Sequence, residues 1–190
     1  LFIAIKPSMW PNEAPSKSIQ VAKNTFSNRY VGIAMRTTDV QPGAVVSTGN
    51  DLGTTTIPYA SLNGGDCALV WQSDNGALYP TVSDAVSTGK TSLALVRNIK
   101  NLSGDDSVGT GQNVSIDLNG HSISGTLANN GTLTIKDSAG LEGLKSSVLF
   151  KGDGKTVIEG GTYNDDAALK HLADDRGILV RTDADSQTFT

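Results

Sequence analysis

VSIDLNG (residues 114–120) has the same order of residue types as LTIKDS (residues 133–138) and TVIEGG (residues 156–161). In each copy an Ile follows small or aliphatic residues and precedes a charged residue and a turn. The Ile residues of the three copies are Ile116, Ile135 and Ile158, and the second spacing is slightly longer than the first. A period of about 20 residues with one short strand per repeat is typical of a solenoid.

The alternation within each copy predicts which side chains point inward and which point outward. The side chains expected to fill the interior are Val114, Ile116, Leu118, Leu133, Ile135, Val148, Phe150 and Ile158. Ser115, Asp117, Thr134 and Lys136 lie between them and are expected on the outer face. Stacked coils of this kind build one continuous apolar core, because each coil covers the previous one.

The turns between strands should need residues that accept a positive φ. Asn119–Gly120, Asn130–Gly131 and Asp153–Gly154 occupy the expected corners, and we predict positive φ at each pair. The repeats contain no helical period, which disfavours leucine-rich and helical solenoids. The sequence therefore predicts an all-β fold, a parallel β-helix, with an antiparallel β-sandwich as the alternative.

The composition agrees with many short strands and turns. The 190 residues include 21 Gly, only 5% are aromatic and 18% are charged. A coiled coil or helix bundle would need far more Ala, Glu, Lys and Leu. The net charge of −4 disfavours nucleic acid as a partner, because a phosphate backbone would be repelled on average. No apolar run approaches the length of about 20 residues that a membrane helix requires.

The predicted organisation has two modules. Residues 1–60 are expected to form the terminal coils of an upstream β-helix-like module, residues 61–66 a linker, and residues 67–190 a second β-helix module. A helix near 81–88 opens the second module, because Thr81 can cap it and Gly89 can end it. A closing helix is expected near 165–176.

Several segments resemble large right-handed β-helix surface proteins of bacteria, which carry pectin-lyase-like repeats. The resemblance rests on SIDLNGHSISG (residues 115–125), GTLTIKDSAG (residues 131–140) and IEGGTY (residues 158–163). It covers about residues 66–190 and is partial before them. It implies a right-handed parallel β-helix, a location outside the cell or on its surface, and no cofactor. The signal and the anchor would then lie outside this sequence.

The resemblance implies a fold more clearly than an activity. We expect a non-catalytic surface module, a stalk or an adhesin-like element that contacts glycans or host surface proteins. The alternative is a polysaccharide lyase or a glycoside hydrolase that uses one face of the β-helix. Such an enzyme needs several carboxylates, or a base with bound calcium, on one face.

Candidate contact residues follow from the aligned strands. Asp117, Lys136 and Glu159 each come directly after a strand position in the repeat, so we expect them to stack on one outer face. A row of alternating charge is more simply a surface ion-pair row than a catalytic set. Trp10, among prolines, is a candidate for stacking on a sugar ring or a partner. No residue is assigned a catalytic or metal-binding role.

The remaining reactive residue types are few. Cys67 is the single cysteine, which excludes an internal disulfide and fits a small buried thiol. His121 lies beside a predicted turn, where packing or hydrogen bonding at a corner is its expected role. His171 lies in the predicted closing helix and is expected at the surface. Neither histidine stands at a spacing typical of a metal site.

Overall fold

The chain divides into two compact units, Leu1–Pro80 and Thr81–Thr190. The structure is a computed structural model, and it describes residues 3–5, 18–27, 30–36, 40–53, 55–62, 67–102, 104, 106–139, 145–163 and 166–173. Residues 67–80, which the sequence analysis assigned to the second module, cluster with the first unit. Of the predicted linker at 61–66, Ser61 and Leu62 are described, and Ser61 ends a strand.

The first unit is built from short parallel strands. Its described strands are β1 (Ile3–Ile5), β2 (Ile19–Ala22), β3 (Val31–Met35), β4 (Val45–Thr48), β5 (Ile57–Ser61), β6 (Trp71–Ser73) and β7 (Leu78–Tyr79). Strands β1, β3 and β5 form one parallel sheet, and β2 and β4 form another. Ile19 pairs with Val45 and Val31 pairs with Ile57, so β2–β4 and β3–β5 share one offset, whereas the step from Ile3 to its partner Ile33 is longer.

A hairpin completes the described part of the first unit. Strands β6 and β7 pair antiparallel. The turn that joins them continues the β2–β4 sheet, because the backbone N–H of Ser47 donates to the carbonyl of Gly76 at 2.8 Å. The N–H of Gly43 donates in the same way to Leu78 at 2.9 Å. The β2–β4 sheet therefore ends in a short antiparallel addition, which occupies the free backbone groups along β4.

The second unit alternates between two sheets along the chain. Its described elements are α1 (Val82–Ser87), β8 (Ser92–Leu95), β9 (Ile99–Leu102), β10 (Ser107–Val108), β11 (Asn113–Asp117), β12 (Ile123–Asn129), β13 (Thr132–Lys136), β14 (Lys145–Lys151), β15 (Lys155–Ile158), β16 (Thr162–Tyr163) and a terminal 3-10 helix (Asp166–His171). We call β8, β11, β13 and β15 the first sheet. Strands β9, β10, β12, β14 and β16 are the second sheet.

Every described strand pair within the second unit is parallel. The chain moves from the first sheet to the second and back once per coil, and each strand pairs with its equivalent in the next coil. This is a parallel β-helix, as predicted. The β-sandwich alternative is wrong, because it would pair these strands antiparallel.

The register confirms the repeat that the sequence predicts. Ile135 pairs with Ile116 on one side and with Ile158 on the other, and Ile116 also pairs with Leu93 of the preceding coil. The predicted interior residues that are buried are Val114, Ile116, Leu118, Leu133, Ile135, Val148 and Ile158. Phe150 is only partly buried, at the last coil. The four predicted outer residues of β11 and β13 are half-buried or exposed.

The prediction of positive φ is confirmed at the Asn119–Gly120 corner. It is wrong at the Asn130–Gly131 and Asp153–Gly154 corners. Asn119 and Gly120 have positive φ values of 49° and 75°. Gly131 and Gly154 do not, and in that part of the chain the residue with positive φ is Gly152, at 105°. A Cβ on Gly131 would overlap the carbonyl oxygen of Gly109. Gly131 and Gly154 are therefore required by the close approach of neighbouring coils, not by their own backbone conformation.

The opening helix forms where the sequence predicts it. The Thr81 hydroxyl accepts from the backbone N–H of Asp84 at 3.0 Å and donates to the Asp84 carboxylate at 2.8 Å. Gly89 follows the helix with a φ of 80°. The predicted closing α-helix is instead a 3-10 helix over Asp166–His171, and residues 174–176 lie outside the described residues.

Candidate functional site

The structure brings two of the four predicted contact residues together. Asp117 and Lys136 are direct partners in the β11–β13 register, and Lys136 Nζ lies 3.8 Å from Asp117 Oδ2. Glu159 directly follows Ile158, and its backbone N–H donates to the Ile135 carbonyl at 2.7 Å. Within the described residues, its side chain forms no ion pair with Lys136. Trp10 lies outside the described residues.

These residues belong to a polar corner where the strands of the first sheet end. The backbone turns there towards the second sheet, at residues 97–98, 117–121, 136–139 and 159–161 of successive coils. We call this the first corner. Successive coils contribute Asp117, His121, Lys136, Asp137 and Glu159 to it, so it is the candidate functional site.

Two carboxylates join neighbouring coils at the first corner. Asp117 Oδ1 accepts from the backbone N–H of Ser138 in the next coil at 3.0 Å, and from that of Asn119 at 2.8 Å. In the opposite direction, Asp137 Oδ1 accepts from the backbone N–H of Gly120 at 2.8 Å. Each turn therefore supplies an acceptor to the other, and the N–H groups that the turn frees from the sheet are satisfied.

The hydrogen bonds of Asp117 favour its ionised form. Partial burial would raise the pKa of its carboxyl group, but the N–H groups of Ser138 and Asn119, the Ser138 hydroxyl and Lys136 together lower this pKa below its ordinary value. A hydrogen bond to a charged group contributes about 1.5–3 kcal/mol, whereas an exposed ion pair contributes about 0–1 kcal/mol. The Lys136 side chain is 47% exposed, so the backbone donors are the larger stabilising contribution.

We expect Asp117 to make folding more stable at neutral than at acid pH. Because its pKa is lowered on folding, its contribution is complete above the ordinary carboxyl pKa of about 3.9 and is lost as pH falls through the folded value. Asp117→Asn should lower the free energy of unfolding by about 1 kcal/mol at pH 7 and flatten its dependence on pH below about pH 4. Urea unfolding over this pH range measures both effects.

Asp153→Asn is the matched control for this prediction. Asp153 is exposed, and its side chain makes no hydrogen bond or ion pair to any described residue. Its replacement should leave the pH profile of stability unchanged. If both variants change the profile equally, the bonds from Ser138 and Asn119 do not stabilise the corner as described.

His121 lies in the same corner, and its ring is held in the neutral form. Its side chain is half-buried, and its backbone N–H donates to the Leu118 carbonyl at 2.8 Å. Burial lowers the pKa of its ring, against the opposing charge of Asp137. The ring is therefore neutral at pH 7 and takes part in no hydrogen bond to a described residue. These positions agree with the predicted role of His121 at a coil corner.

Two further carboxylates of the second unit, Asp84 and Asp106, serve the opening helix. Asp106 is buried, and its Oδ1 accepts from the backbone N–H of Val82 at 3.0 Å. A shallow depression of about 380 Å³ lies beside it and is lined by Thr81, Ser83, Asp84, Gly104 and Ser107. No group of three or more His, Cys, Asp or Glu residues in the described part of the chain is arranged to hold a metal ion.

Two asparagine arrangements were not predicted from the sequence. Asn129 is 1% exposed; its amide donates to the Lys155 carbonyl at 3.0 Å and to the Thr156 hydroxyl at 2.9 Å, and its Oδ1 accepts from the N–H of Gly131 at 3.0 Å. In the first unit Asn24 donates to Asn50 at 2.9 Å, and the two are separated by the coil offset of 26 residues. In the sequence, Asn24 and Asn50 have the same spacing as the partner residues of β2 and β4, and this spacing could have identified their contact.

No protein-family model, curated protein or solved structure matches this chain. The parallel β-helix of the second unit therefore follows from strand register and not from a relative. None of the described helices is long and apolar enough to cross a membrane.

Proposed function

We propose that this chain is a non-catalytic module of an extracellular surface protein, acting as a stalk or presenting a face to glycans or host surface proteins. The observation that carries the proposal is the parallel coil stack of the second unit, with an apolar column inside and small polar side chains outside. Ser92, Ser115 and Thr134 are direct partners in successive coils of the first sheet.

The coil stack suits a load-bearing or spacing role. Each coil pairs with its neighbours through a continuous ladder of backbone hydrogen bonds, and each added coil lengthens the stack by about 4.8 Å. The carboxylates of the first corner join adjacent coils through the bonds described above. The carboxylates of Asp117 and Asp137 therefore help to hold the coils in register.

The outer face of the first sheet is the surface that we propose for contact with a partner. Ser115 and Thr134 are half-buried with outward side chains, while Lys136 and Glu159 are exposed at the edge of the face. Hydroxyl and mixed-charge groups of this kind can hydrogen-bond to sugar hydroxyls or to a polar protein surface.

A lyase or hydrolase is the alternative function, and the chemistry of Asp117 does not favour it. A general acid needs a carboxyl group whose pKa is raised, as burial without hydrogen-bond donors would achieve. Asp117 has a lowered pKa and receives backbone N–H groups from two residues. That environment keeps the carboxylate ionised and occupies one of its oxygens.

Binding of the purified chain to arrays of glycans and of host surface proteins tests the contact role. We expect at least one ligand whose binding is lost in Thr134→Arg, which places a bulky charge on the proposed face. Thr126→Arg, on the outer side of the second sheet, is the matched control and should bind normally. Loss of binding in the control alone would reject the first sheet as the contact face.

Two further outcomes separate the candidate functions. If no ligand on the arrays binds although the full-length protein is exposed on its cell, the stalk is the one proposed role that remains. Unsaturated products or new reducing ends from acidic or neutral polysaccharides would contradict a non-catalytic module and favour the enzyme.

A further inference from the structure

The 3-10 helix covers the apolar interior at the last described coil of the second unit. The side chains that meet there are Phe150, Ile158, Tyr163, Ala168 and Leu172. Leu172 forms a parallel bridge with Ile158, and the backbone N–H of Ala173 donates to the Ile158 carbonyl at 3.0 Å. The helix and the two residues after it therefore form a short turn, the last in the described part of the chain and here called the final turn, that covers the core of this coil.

His171 connects this final turn to both sheets. Its ring meets the Phe150 ring edge-on, with centroids 5.1 Å apart and planes at 74°. The ring also hydrogen-bonds to the backbone of Thr156 on β15. Burial lowers the pKa of His171; the bond to Thr156 opposes this effect, and Lys170 adds to it. The neutral ring is thus the form that suits the docked helix.

The charged groups on the segments that meet at His171 carry both signs. Lys170 precedes His171 on the helix, Lys151 follows Phe150 on β14, and Lys155 precedes Thr156 on β15. The acidic residues that the structure describes on or next to these segments are Asp153, in the turn between β14 and β15, Glu159, which follows β15, and Asp166, the first residue of the helix. Tyr163 stays neutral, because burial raises its pKa and Asp137 raises it further. Of these charged groups Lys170 acts on the His171 ring, and its positive charge disfavours protonation of the ring.

We propose that His171 is a pH-sensitive latch, whose protonation loosens the 3-10 helix from Phe150 and β15 and uncovers the apolar interior of the last described coil. This inference is independent of the proposed surface role. The latch concerns only the final turn, because His171 contacts the last coil and the ladder of the preceding coils continues without it.

The direction of the effect follows from the lowered pKa. The docked helix favours the neutral ring, so its stability is unaffected above the ordinary histidine pKa of about 6.5. Below that value the undocked segment takes up a proton more readily than the docked one. Docking therefore weakens as pH falls, until the docked ring is protonated as well.

Amide hydrogen exchange read by mass spectrometry tests the latch. The intact chain and a His171→Phe variant, which keeps an aromatic ring against Phe150, are compared at about pH 7.5 and about pH 5.5. Because the intact chain and the variant are compared at the same pH, the intrinsic pH dependence of amide exchange affects both equally. Between the two pH values, opening of residues 166–173 should increase by about threefold or more in the intact chain relative to the variant.

The control is His121→Gln, which removes the other histidine and should respond to pH as the intact chain does. The proposal is overturned if the intact chain and His171→Phe respond identically, or if acid opens β11 and β13 as much as residues 166–173. Should His171→Phe fail to fold, NMR titration of the intact chain decides. The Ala173 amide must then shift with the same midpoint as the His171 ring.

Discussion

Replacing Ile135 by Ala is expected to lower the free energy of unfolding of the second unit by about 3–4 kcal/mol. Ile135 has no exposed surface and stands in the middle of the column, with Ile116 and Ile158 as its register partners. The coils are fixed by their backbone ladders and cannot move together to fill the space that the deleted atoms leave. The cost of the cavity therefore adds to the lost burial of the side chain.

Urea unfolding followed by circular dichroism measures this loss, with Thr134→Ala as the control on the same strand. Thr134 is half-buried on the outer side, between Ser115 and Val157 of the neighbouring coils. Its replacement should cost less than about 1 kcal/mol. Similar losses in the two variants would mean that the column through Ile135 is not the core of the unit.

Gly131→Ala is expected to be as damaging, although it adds only one carbon atom. The new Cβ would overlap the Gly109 carbonyl oxygen and lie 2.5 Å from the Gln112 carbonyl oxygen. Both neighbours are backbone atoms of the preceding coil, so relief requires a shift of the ladder itself. We expect a loss of about 3 kcal/mol or more in the free energy of unfolding.

Gly104→Ala is the matched control for this substitution. Neither glycine has a φ in the left-handed region, so the two changes differ only in the space around the new atom. No atom lies within 4 Å of a Cβ built on Gly104. Its replacement should leave stability unchanged or raise it slightly, through the lower entropy of the unfolded chain. A neutral Gly131→Ala would show that the two coils are further apart than described.

The first sheet could be predicted from the sequence because its signal is local. Strand β11 alternates buried and outward residues along its length, and the Ile spacing then aligns it with β13 and β15. The second sheet was harder to predict from the sequence. Strand β12 contains Gly125 and small polar residues, so its alternation of apolar and polar positions is weak.

The errors concern contacts between residues far apart in the chain. Glycine after Asn or Asp suggests a turn, but the need for Gly131 comes from Gly109 and Gln112 in the preceding coil. Asp117 was correctly expected on the outer side beside Lys136. Its bond to the backbone of Ser138 depends on how two turns meet, which a single sequence does not reveal.

Unequal coil lengths have a consequence for how such a chain can diversify. The step along the chain from Asn113 to its partner Thr132 is shorter than the step from Thr132 to its partner Lys155, yet the pairing of strands stays in register. Corresponding strands of the two coils are equally long, so the extra residues belong to the connections, chiefly the one between Lys136 and Lys145. The strands on either side of that connection keep their pairing, so residues can be added between strands, one coil at a time, without a shift of the ladder.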